Sequence, residues 1–383
     1  MVRYHLRNGM WVARGRNDRL PSLGPAGRKT GPNYVRYEDL YVPGDDLQQT
    51  LNRVTGNKVM TFPNGTFIIP SDFRYGYMDG IRVGNGGATN CNGISGSGPG
   101  TIFKMLSSNR PQPNYGAFEA NNFFLMQANG ENWAGGRRPG MEFSNFHLQG
   151  TQLGADVDHN GLRFQDCLDL LVEDVLVTGI KGSDAIPPGE TGSISLHRNT
   201  GGLIRRVELD GRRDGVKVSS ALLMPNNGSD LTVEDSYLHH TRYGGGGIAW
   251  YIYNGGIVRN VRSHYIGSGT GKFSGYSFNH EQAQNIVYYN PDMIADRDAT
   301  GGGGTLHMSL NSDSARGGVD NILTVHNPKW DPTSVGNGRF VVHTWDLGAN
   351  QVQRTKPRVY DAQGNPLDFF YILPAQYGAP IIR

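Results

Sequence analysis

Short runs of β-branched and other apolar residues recur along the chain, each closed by glycine or a polar turn. The segment LLVEDVLVTG, residues 170–179, places Val172, Val175 and Val177 in one such run, with two acids between them. An amphipathic helix would repeat apolar residues at spacings of three and four, whereas this run is β-branched and ends at a glycine. Because β-branched residues favour strands, we predict a strand here.

Similar segments follow one another at a nearly constant interval. Each contains an apolar anchor residue, and the steps between successive anchors are 29, 32, 29, 25 and 28 residues. The anchors are Phe143, Val172, Ile204, Val233, Val258 and Ile286. Two polar residues often separate the anchor from another apolar residue, as in Val172-Glu173-Asp174-Val175. A bend between two short strands would bury both apolar residues and leave the polar pair in water.

A second series of strand-like segments precedes most anchors and keeps step with them, for example GLRF (161–164), GSISL (192–196) and GIAWYI (247–252). Two or three short strands in each repeat, without a helical stretch, predict an all-β fold. We expect a right-handed, single-stranded parallel β-helix whose coils stack about 4.8 Å apart. A leucine-rich repeat would have a shorter period, and a propeller blade would need about 40 residues.

Composition supports a turn-rich β protein. The 383 residues include 55 glycines and 20 prolines, while 37% apolar and 18% charged residues exclude a disordered chain. A net charge of +2 gives no reason to expect nucleic acid as a partner. The N-terminus has no apolar core of a signal peptide, so we expect cytoplasmic synthesis without export and no membrane insertion. Cys91 and Cys167 lie among apolar residues, which predicts buried free thiols.

The charge is unevenly distributed. Residues 1–36 contain eight arginines and lysines but a single acid, Asp18. A basic arm of this kind either docks on a partner or stays solvated.

The segment DDLQQTLNRVTGNKVMTFPNGTFII, residues 45–69, is followed by GIRVGNGG and GISGSGPGTIF. It resembles the start of the pectate-lyase-like (pectin-lyase-like) β-helix superfamily, in which a short capping helix precedes a Pro-Gly strand. The resemblance covers residues 41–346. That superfamily includes pectinases, epimerases and phage tailspikes, so the motifs predict the fold and not the activity.

The chain as a whole resembles the β-helical minor tail proteins and tailspikes of bacteriophages, particularly those infecting actinobacteria. This resemblance implies a virion protein whose basic arm, residues 1–40, attaches to other tail proteins. It further implies a β-helix over residues 41–346, a capping or contact segment over 347–383, a homotrimer, and binding to a host surface polysaccharide. Two alternatives are a polysaccharide lyase or hydrolase and a purely structural tail protein.

Three cations occupy the ninth position after successive anchors: Lys181, Arg213 and Arg242. If the turns are equally long, these side chains form a basic strip, which could pair with acidic groups of a sugar polymer. The predicted substrate-binding residues are Lys181, Arg213, Asp214, His240, Arg242, Tyr243 and Tyr251. The alternative is that the cations are solvated turn residues, and that Trp250 and Tyr251 alternate between core and surface.

No catalytic residues can be assigned from the sequence. A glycosidase needs two carboxylates about 5–10 Å apart, a requirement that Asp184 and Asp214 on adjacent coils could meet. The Asn-Thr-Asp and Gly-His-Gly signatures of polygalacturonases are missing, and a pectate lyase would need an acidic calcium cluster. We expect no cofactor and no metal.

Overall fold

The fold is a parallel β-helix, as the repeat predicts. The computed structural model describes residues 3–7, 10–14, 27–70, 79–105, 124–131, 136–150, 160–180, 192–213, 216–217, 221–241, 246–266, 276–295, 306–311, 322–331, 338–344, 356–372 and 381–382. Each coil contributes short strands to three parallel sheets, here called sheets 1, 2 and 3 in the order in which a coil visits them. Among the described residues, no helix has the length and apolarity needed to cross a membrane.

Within the described residues, sheet 1 has eleven strands, of which the last is antiparallel. They are Asp79–Gly84, Phe124–Asn129, Asn160–Gln165, Gly192–His197, Ala221–Asn226, Gly246–Tyr251, Tyr276–Glu281, Leu306–Asn311, Phe340–His343, Phe369–Ile372 and Ile381–Ile382. Sheet 2 contains Tyr34–Arg36, Lys58–Thr61, Cys91–Ser95, Leu203–Arg205, Ser229–Glu234, Asn254–Arg259, Gln284–Tyr289, Ile322–His326 and Lys356–Tyr360. Sheet 3 contains Gly65–Ile69, Thr101–Met105, Glu208–Asp210, Tyr237–Thr241, Arg262–Ile266, Asp292–Ala295 and Lys329–Trp330.

Four further pairings complete the described strands. The strands Glu142–Gln149 and Leu171–Thr178 run through the bend and belong to both sheet 2 and sheet 3. The remaining pairs are Arg3–Arg7 with Met10–Arg14, Arg138–Pro139 with Cys167–Leu168, and Arg212–Arg213 with Val216–Lys217.

Sheet 2 carries the continuous inner column that the repeat predicts. The anchors Phe143, Val172, Ile204, Val233 and Val258 pair directly with one another on successive coils, and all are fully buried. The sixth anchor was misplaced by two residues, because Val258 pairs with Tyr288 and Ile286 pairs with Gly256. Stacking coils therefore bury what a single coil could not cover.

Left-handed residues make the bend between sheets 2 and 3. Asp174, Arg206, Asp235 and Asn260 have φ angles of 55°, 50°, 49° and 53°, a conformation that asparagine and aspartate tolerate well. Their side chains also pair between coils, since Arg206 donates to both carboxylate oxygens of Asp174 at 2.8 Å. The same bend continues as a ladder in which Asn260, Asn290 and Asn327 each donate to the preceding member at 2.9 Å.

The polar pair Glu173-Asp174 is buried, whereas the sequence pattern predicts that it reaches water. Val172 and Val175 are buried on either side, as predicted, but each acid is only 6% exposed. Lys29 contacts Glu173 and Glu142 at 2.8 Å each, and Arg205 contacts Glu173 at 2.8 Å. These cations cover Glu173, and Arg206 covers Asp174, which explains why the two acids do not reach water.

The N-terminal end of the β-helix is closed by the predicted capping helix. Leu47–Asn52 begins with a capping box between Asp46 and Gln49, and it buries Leu47 and Leu51. A shorter helix, Tyr37–Leu40, precedes it. The basic arm enters the fold before residue 41, because Tyr34–Arg36 pairs with Lys58–Thr61. The assignment of separate roles to residues 1–40, 41–346 and 347–383 stays a prediction.

The two cysteines are free and buried, as predicted. Burial raises the pKa of Cys91 to about 11 and that of Cys167 to about 12. Both are therefore unreactive thiols near neutral pH.

Candidate functional site

The outer face of sheet 3 concentrates polar side chains on consecutive coils. Asp210, His239 and His264 pair directly with one another along the β-helix. A second outward column lies two residues earlier on the same strands. It runs from Glu208 through Tyr237 and Arg262 to Asp292. Together with Arg212, His240 and Tyr265, these residues form what we call the sheet 3 patch.

A backbone irregularity adds His240 to this face. His240 and Tyr265, at the same place on successive coils, have φ angles of 62° and 55°. His240 lies between His239 and Thr241, and Thr241 pairs with the core residue Ile266, so His240 is an extra residue in the alternation of the strand. The imidazole of His240 stacks on the Tyr265 ring with centroids 4.8 Å apart. The irregularity therefore repeats on two coils and places a second imidazole beside His239.

His239 lies between two carboxylates. Its Nε2 is 3.2 Å from Oε1 of Glu208, and its Nδ1 is 3.6 Å from Oδ1 of Asp210. Because a carboxylate accepts, Nε2 carries the proton of a neutral His239 ring and Nδ1 presents a lone pair. The Nδ1 atoms of His239 and His240 are 2.6 Å apart, so the N–H between them belongs to His240. The His239 side chain is fully buried, and Tyr237 stacks on it at 4.0 Å.

Asp210 is held as a carboxylate. Burial opposes its ionisation, but the neighbouring His239 and hydrogen bonds from Arg212 outweigh this, so the pKa of Asp210 is lowered. Arg212 donates through Nη2 at 2.7 Å and through its backbone N–H at 3.0 Å. This pairing fixes the orientation of the Asp210 carboxylate.

A similar arrangement recurs further along the patch. Asp292 Oδ2 is 3.3 Å from Nε2 of His264 and 3.9 Å from Nε of Arg262. Burial opposes ionisation of Asp292, but the nearby His264 imidazole and the charge of Arg262 outweigh it and lower its pKa. The sheet 3 patch thus offers carboxylates, imidazoles, two guanidinium groups and tyrosine rings on neighbouring coils. Sugars are bound by hydrogen-bonding groups of these kinds and by aromatic faces.

The structure places the residues predicted from the sequence in several locations. His240 lies in the sheet 3 patch, next to Asp210 and His239. Tyr251 lies on sheet 1, paired with Asn226 and Glu281, and it packs beside Met224 and Ala249. Trp250 is fully buried, so Trp250 and Tyr251 do alternate between core and surface.

Of the three cations in the predicted basic strip, only Arg213 belongs to the described residues. Arg213 lies in the hairpin strand Arg212–Arg213, which pairs with Val216–Lys217 and is separate from the three parallel sheets. Lys181, Asp184, Asp214, Arg242 and Tyr243 lie outside the described residues. The strip stays a prediction.

Sequence reasoning missed most of the patch, namely Glu208, Arg212, Tyr237, Arg262, His264, Tyr265 and Asp292. A usable signal was present at the sixth position after the anchors. That position holds Asp210, His239 and His264, and the strands keep their register there. The ninth position falls beyond the strands of the parallel sheets, as Arg213 in its separate hairpin shows.

No family model matches the sequence, and no curated protein matches it. Solved structures do match the fold. Tailspike protein 2 of Escherichia coli O157:H7 bacteriophage CAB120 is 10% identical, with a TM-score of 0.51, over 82% of this chain and 37% of the tailspike. ORF18 of Geobacillus virus E2 is 11% identical, with a TM-score of 0.51, over 97% of this chain and 67% of that protein.

The tailspike gp42 of Acinetobacter phage vb_AbaP_AS12 is 11% identical, with a TM-score of 0.50. The match covers 88% of this chain and 64% of the tailspike. This chain therefore spans between about a third and two thirds of the length of these three proteins. It shares a parallel β-helical fold with phage tailspikes, as the sequence resemblance predicts.

Proposed function

We propose that this protein is a component of a phage tail that binds a host surface polysaccharide through the sheet 3 patch. The observation that carries the proposal is the register of Asp210, His239 and His264 on successive coils, bordered by Arg262 and Asp292. A repeating array of donors and acceptors suits a repeating polymer, because successive sugars can meet equivalent groups. The fold shared with tailspikes supports a place in the tail.

Binding to an array of bacterial surface polysaccharides tests this proposal. We expect labelled protein to bind at least one polysaccharide, and Arg262→Ala and His264→Ala each to weaken that binding at least tenfold. Arg358→Ala is the matched control, since Arg358 is an exposed cation on sheet 2. Lack of binding across the array, or equal weakening by Arg358→Ala, would contradict the proposal.

A polysaccharide-cleaving activity is the second candidate. Glu208 and Asp210 lie two positions apart on one face of a strand, a spacing of about 6.5–7 Å that falls within the range for an inverting hydrolase. Release of reducing ends from the bound polysaccharide, abolished by Glu208→Gln, would favour this activity. Binding without any shortening of the polymer would favour recognition alone.

We further propose that the N-terminal arm attaches to other tail proteins and that the protein forms a homotrimer. Three cations of the arm are paired within the chain: Arg28 with Glu38, Lys29 with Glu142 and Glu173, and Arg36 with Asp39. The proposal covers the basic arm as the sequence predicts it, residues 1–40. Sedimentation of the purified chain tests the trimer, and pull-down of tail proteins with and without residues 1–26 tests the attachment.

A further inference from the structure

Three potential metal-ligand atoms meet within the sheet 3 patch. They are Oδ1 of Asp210, Nδ1 of His239 and Nδ1 of His240, all within 4.8 Å of one another. The separations are 2.6 Å between the two nitrogens, 3.6 Å from His239 to Asp210, and 4.0 Å from His240 to Asp210. Ligands of a tetrahedral zinc ion, with bonds of about 2.0–2.1 Å, lie about 3.3 Å apart. The three atoms therefore approach this spacing. Metal binding needs small side-chain rotations, and the His240 proton must move from Nδ1 to Nε2 so that Nδ1 has a free lone pair.

The hydrogen bond from His239 to Glu208 prepares His239 as a ligand. Metal-binding histidines usually donate their second ring N–H to a carboxylate, which fixes the tautomer and leaves the other nitrogen free to bind. Glu208 accepts from Nε2 of His239 at 3.2 Å, so the lone pair of Nδ1 faces the centre of the cluster. Glu208 is not one of the three ligands, and it lies on the coil next to that of His239.

Both imidazole rings are held in place by aromatic neighbours. His239 stacks on Tyr237 with ring centroids 4.0 Å apart, and His240 stacks on Tyr265 at 4.8 Å. The left-handed backbone at His240 brings its ring to the same side as that of His239, although neighbours in a regular strand face opposite sides. Rigid rings lower the conformational entropy lost on binding an ion.

Charge and exposure are compatible with a divalent cation. The carboxylates of Asp210 and Glu208 lie beside the two imidazoles, while Arg212 compensates one of the negative charges. His239 is fully buried, whereas the side chains of Asp210 and His240 are 12% and 13% exposed. An ion could enter from the exposed side and keep a coordination position open there.

We propose that Asp210, His239 and His240 form a binding site for a divalent transition metal ion, with Glu208 as a positioning residue. Two imidazoles and one carboxylate favour Zn²⁺, Co²⁺ or Ni²⁺ over Ca²⁺ and Mg²⁺, which prefer oxygen ligands. The open position would accept water or an oxygen of a bound sugar. No metal is expected from the sequence, so this proposal departs from that expectation.

Calorimetric titration with Zn²⁺ tests the site. The full chain is purified without a histidine tag for this experiment. We expect one ion per chain, and a loss of at least a hundredfold in affinity for His239→Ala and for Asp210→Asn. Glu208→Gln should weaken binding about ten- to hundredfold, as outer-shell partners do. His326→Ala is the matched control, because it removes a surface histidine from sheet 2 and should leave Zn²⁺ binding unchanged.

Two further readouts separate a lost site from a misfolded protein. Co²⁺ should produce the visible absorption bands of a tetrahedral nitrogen and oxygen site in the native chain and not in Asp210→Asn. Zn²⁺ should raise the melting temperature of the native chain by mass action. Without Zn²⁺, Asp210→Asn should melt at nearly the same temperature as the metal-free native chain. Absence of saturable binding, or undiminished binding by His239→Ala, would overturn the proposal. The metal alone is the probe, so these results are independent of polysaccharide binding.

Discussion

The phenol oxygen of Tyr288 lies 2.8 Å from Nε2 of His280, deep between the stacked coils. The same oxygen accepts from Nε1 of Trp250 at 2.9 Å, and Nδ1 of His280 donates to the backbone carbonyl of Ser309 at 2.7 Å. Because Nδ1 carries the proton, Nε2 is an acceptor and the Tyr288 hydroxyl donates to it. All side-chain polar groups of this trio are therefore satisfied inside an apolar core.

Removing the Tyr288 hydroxyl should cost far more stability than removing that of its neighbour. Tyr288→Phe leaves the Trp250 N–H and the His280 Nε2 without their partner, so we expect a loss of about 1–3 kcal/mol in the free energy of unfolding. Tyr289→Phe is the control, because Tyr289 is 38% exposed, and it should change the free energy by less than about 0.5 kcal/mol. Denaturant titration of both variants makes the comparison. Equal effects would show that the buried network contributes nothing specific.

The stability of the fold should rise with pH over the range in which unfolded histidines lose their protons. Burial lowers the pKa of His280 and of His307 to about 4. The pKa of histidine in an unfolded chain is about 6.5, so between about pH 4 and 6.5 the unfolded state binds more protons than the folded state. The free energy of unfolding therefore increases with pH there, by at most about 1.4 kcal/mol per pH unit for each histidine.

Urea titrations at about pH 5, 6 and 7.5 measure this dependence. The His280→Gln variant should show a shallower rise than the native chain, because one titrating group has been removed. A free energy of unfolding that is flat between about pH 5 and 6.5 would contradict the assignment of neutral, buried imidazoles.

The fold could be predicted from the sequence because every coil buries apolar residues at equivalent positions. Val172, Ile204 and Val233 repeat at similar spacing, and a single repeated environment leaves a visible apolar pattern. The predicted alignment is wrong at Ile286, because the residue that pairs with Val258 is Tyr288. The polar hydroxyl of a tyrosine suggests a surface position, but that of Tyr288 is hydrogen-bonded inside the core.

The candidate site was harder to predict, because it depends on a local departure from the strand pattern. His240 joins His239 only through its left-handed backbone, a conformation that is uncommon for residues other than glycine and leaves no mark on the apolar repeat. The choice of the ninth position after the anchors also assumed equal turns. Turn length is set by insertions that leave no mark on the apolar repeat, and the hairpin after Asp210 is one such insertion.

The contact between the basic arm and the β-helix should depend on Glu173. Its carboxylate meets Lys29, Arg205 and Arg206 at 2.8, 2.8 and 3.0 Å and is nearly buried. Glu173→Gln should lower the free energy of unfolding by about 1–3 kcal/mol. Glu234→Gln is the control on the same column, since Glu234 meets Arg259 at 3.9 Å and is more exposed; it should cost less than about 0.5 kcal/mol.

The Glu173 contribution should also depend on pH in a defined direction. Burial opposes ionisation, but hydrogen bonds from Lys29 and Arg205 outweigh it and lower the pKa of Glu173. A lowered pKa in the folded state gives stability that is present above the ordinary glutamate value of about 4.3 and is lost as the pH falls through the folded value. The native chain and Glu173→Gln should therefore converge in stability below about pH 4.3. A constant difference at all pH values would rule out an ionic contribution.

Ile252 should be a position where substitution stabilises the fold. It has a φ of 48° at the bend between sheets 1 and 2, where the neighbouring coils place Asn227 at 52° and Gln282 at 55°. A β-branched residue is strained in this conformation, and the side chain recovers little by burial because Ile252 is 39% exposed. Ile252→Asn should therefore raise the free energy of unfolding by about 0.5–1 kcal/mol.

Ile257 provides the matched control for this substitution. It lies on the outer face of sheet 2, paired with Thr232 and Val287, in ordinary extended backbone. Ile257→Asn should lower stability, since asparagine is disfavoured in strands and loses the packing against its cross-strand neighbours. Denaturant titration should thus give changes of opposite sign for the same replacement. A loss of stability in Ile252→Asn as large as that in Ile257→Asn would show that Ile252 is retained for packing, and the strain argument would fail.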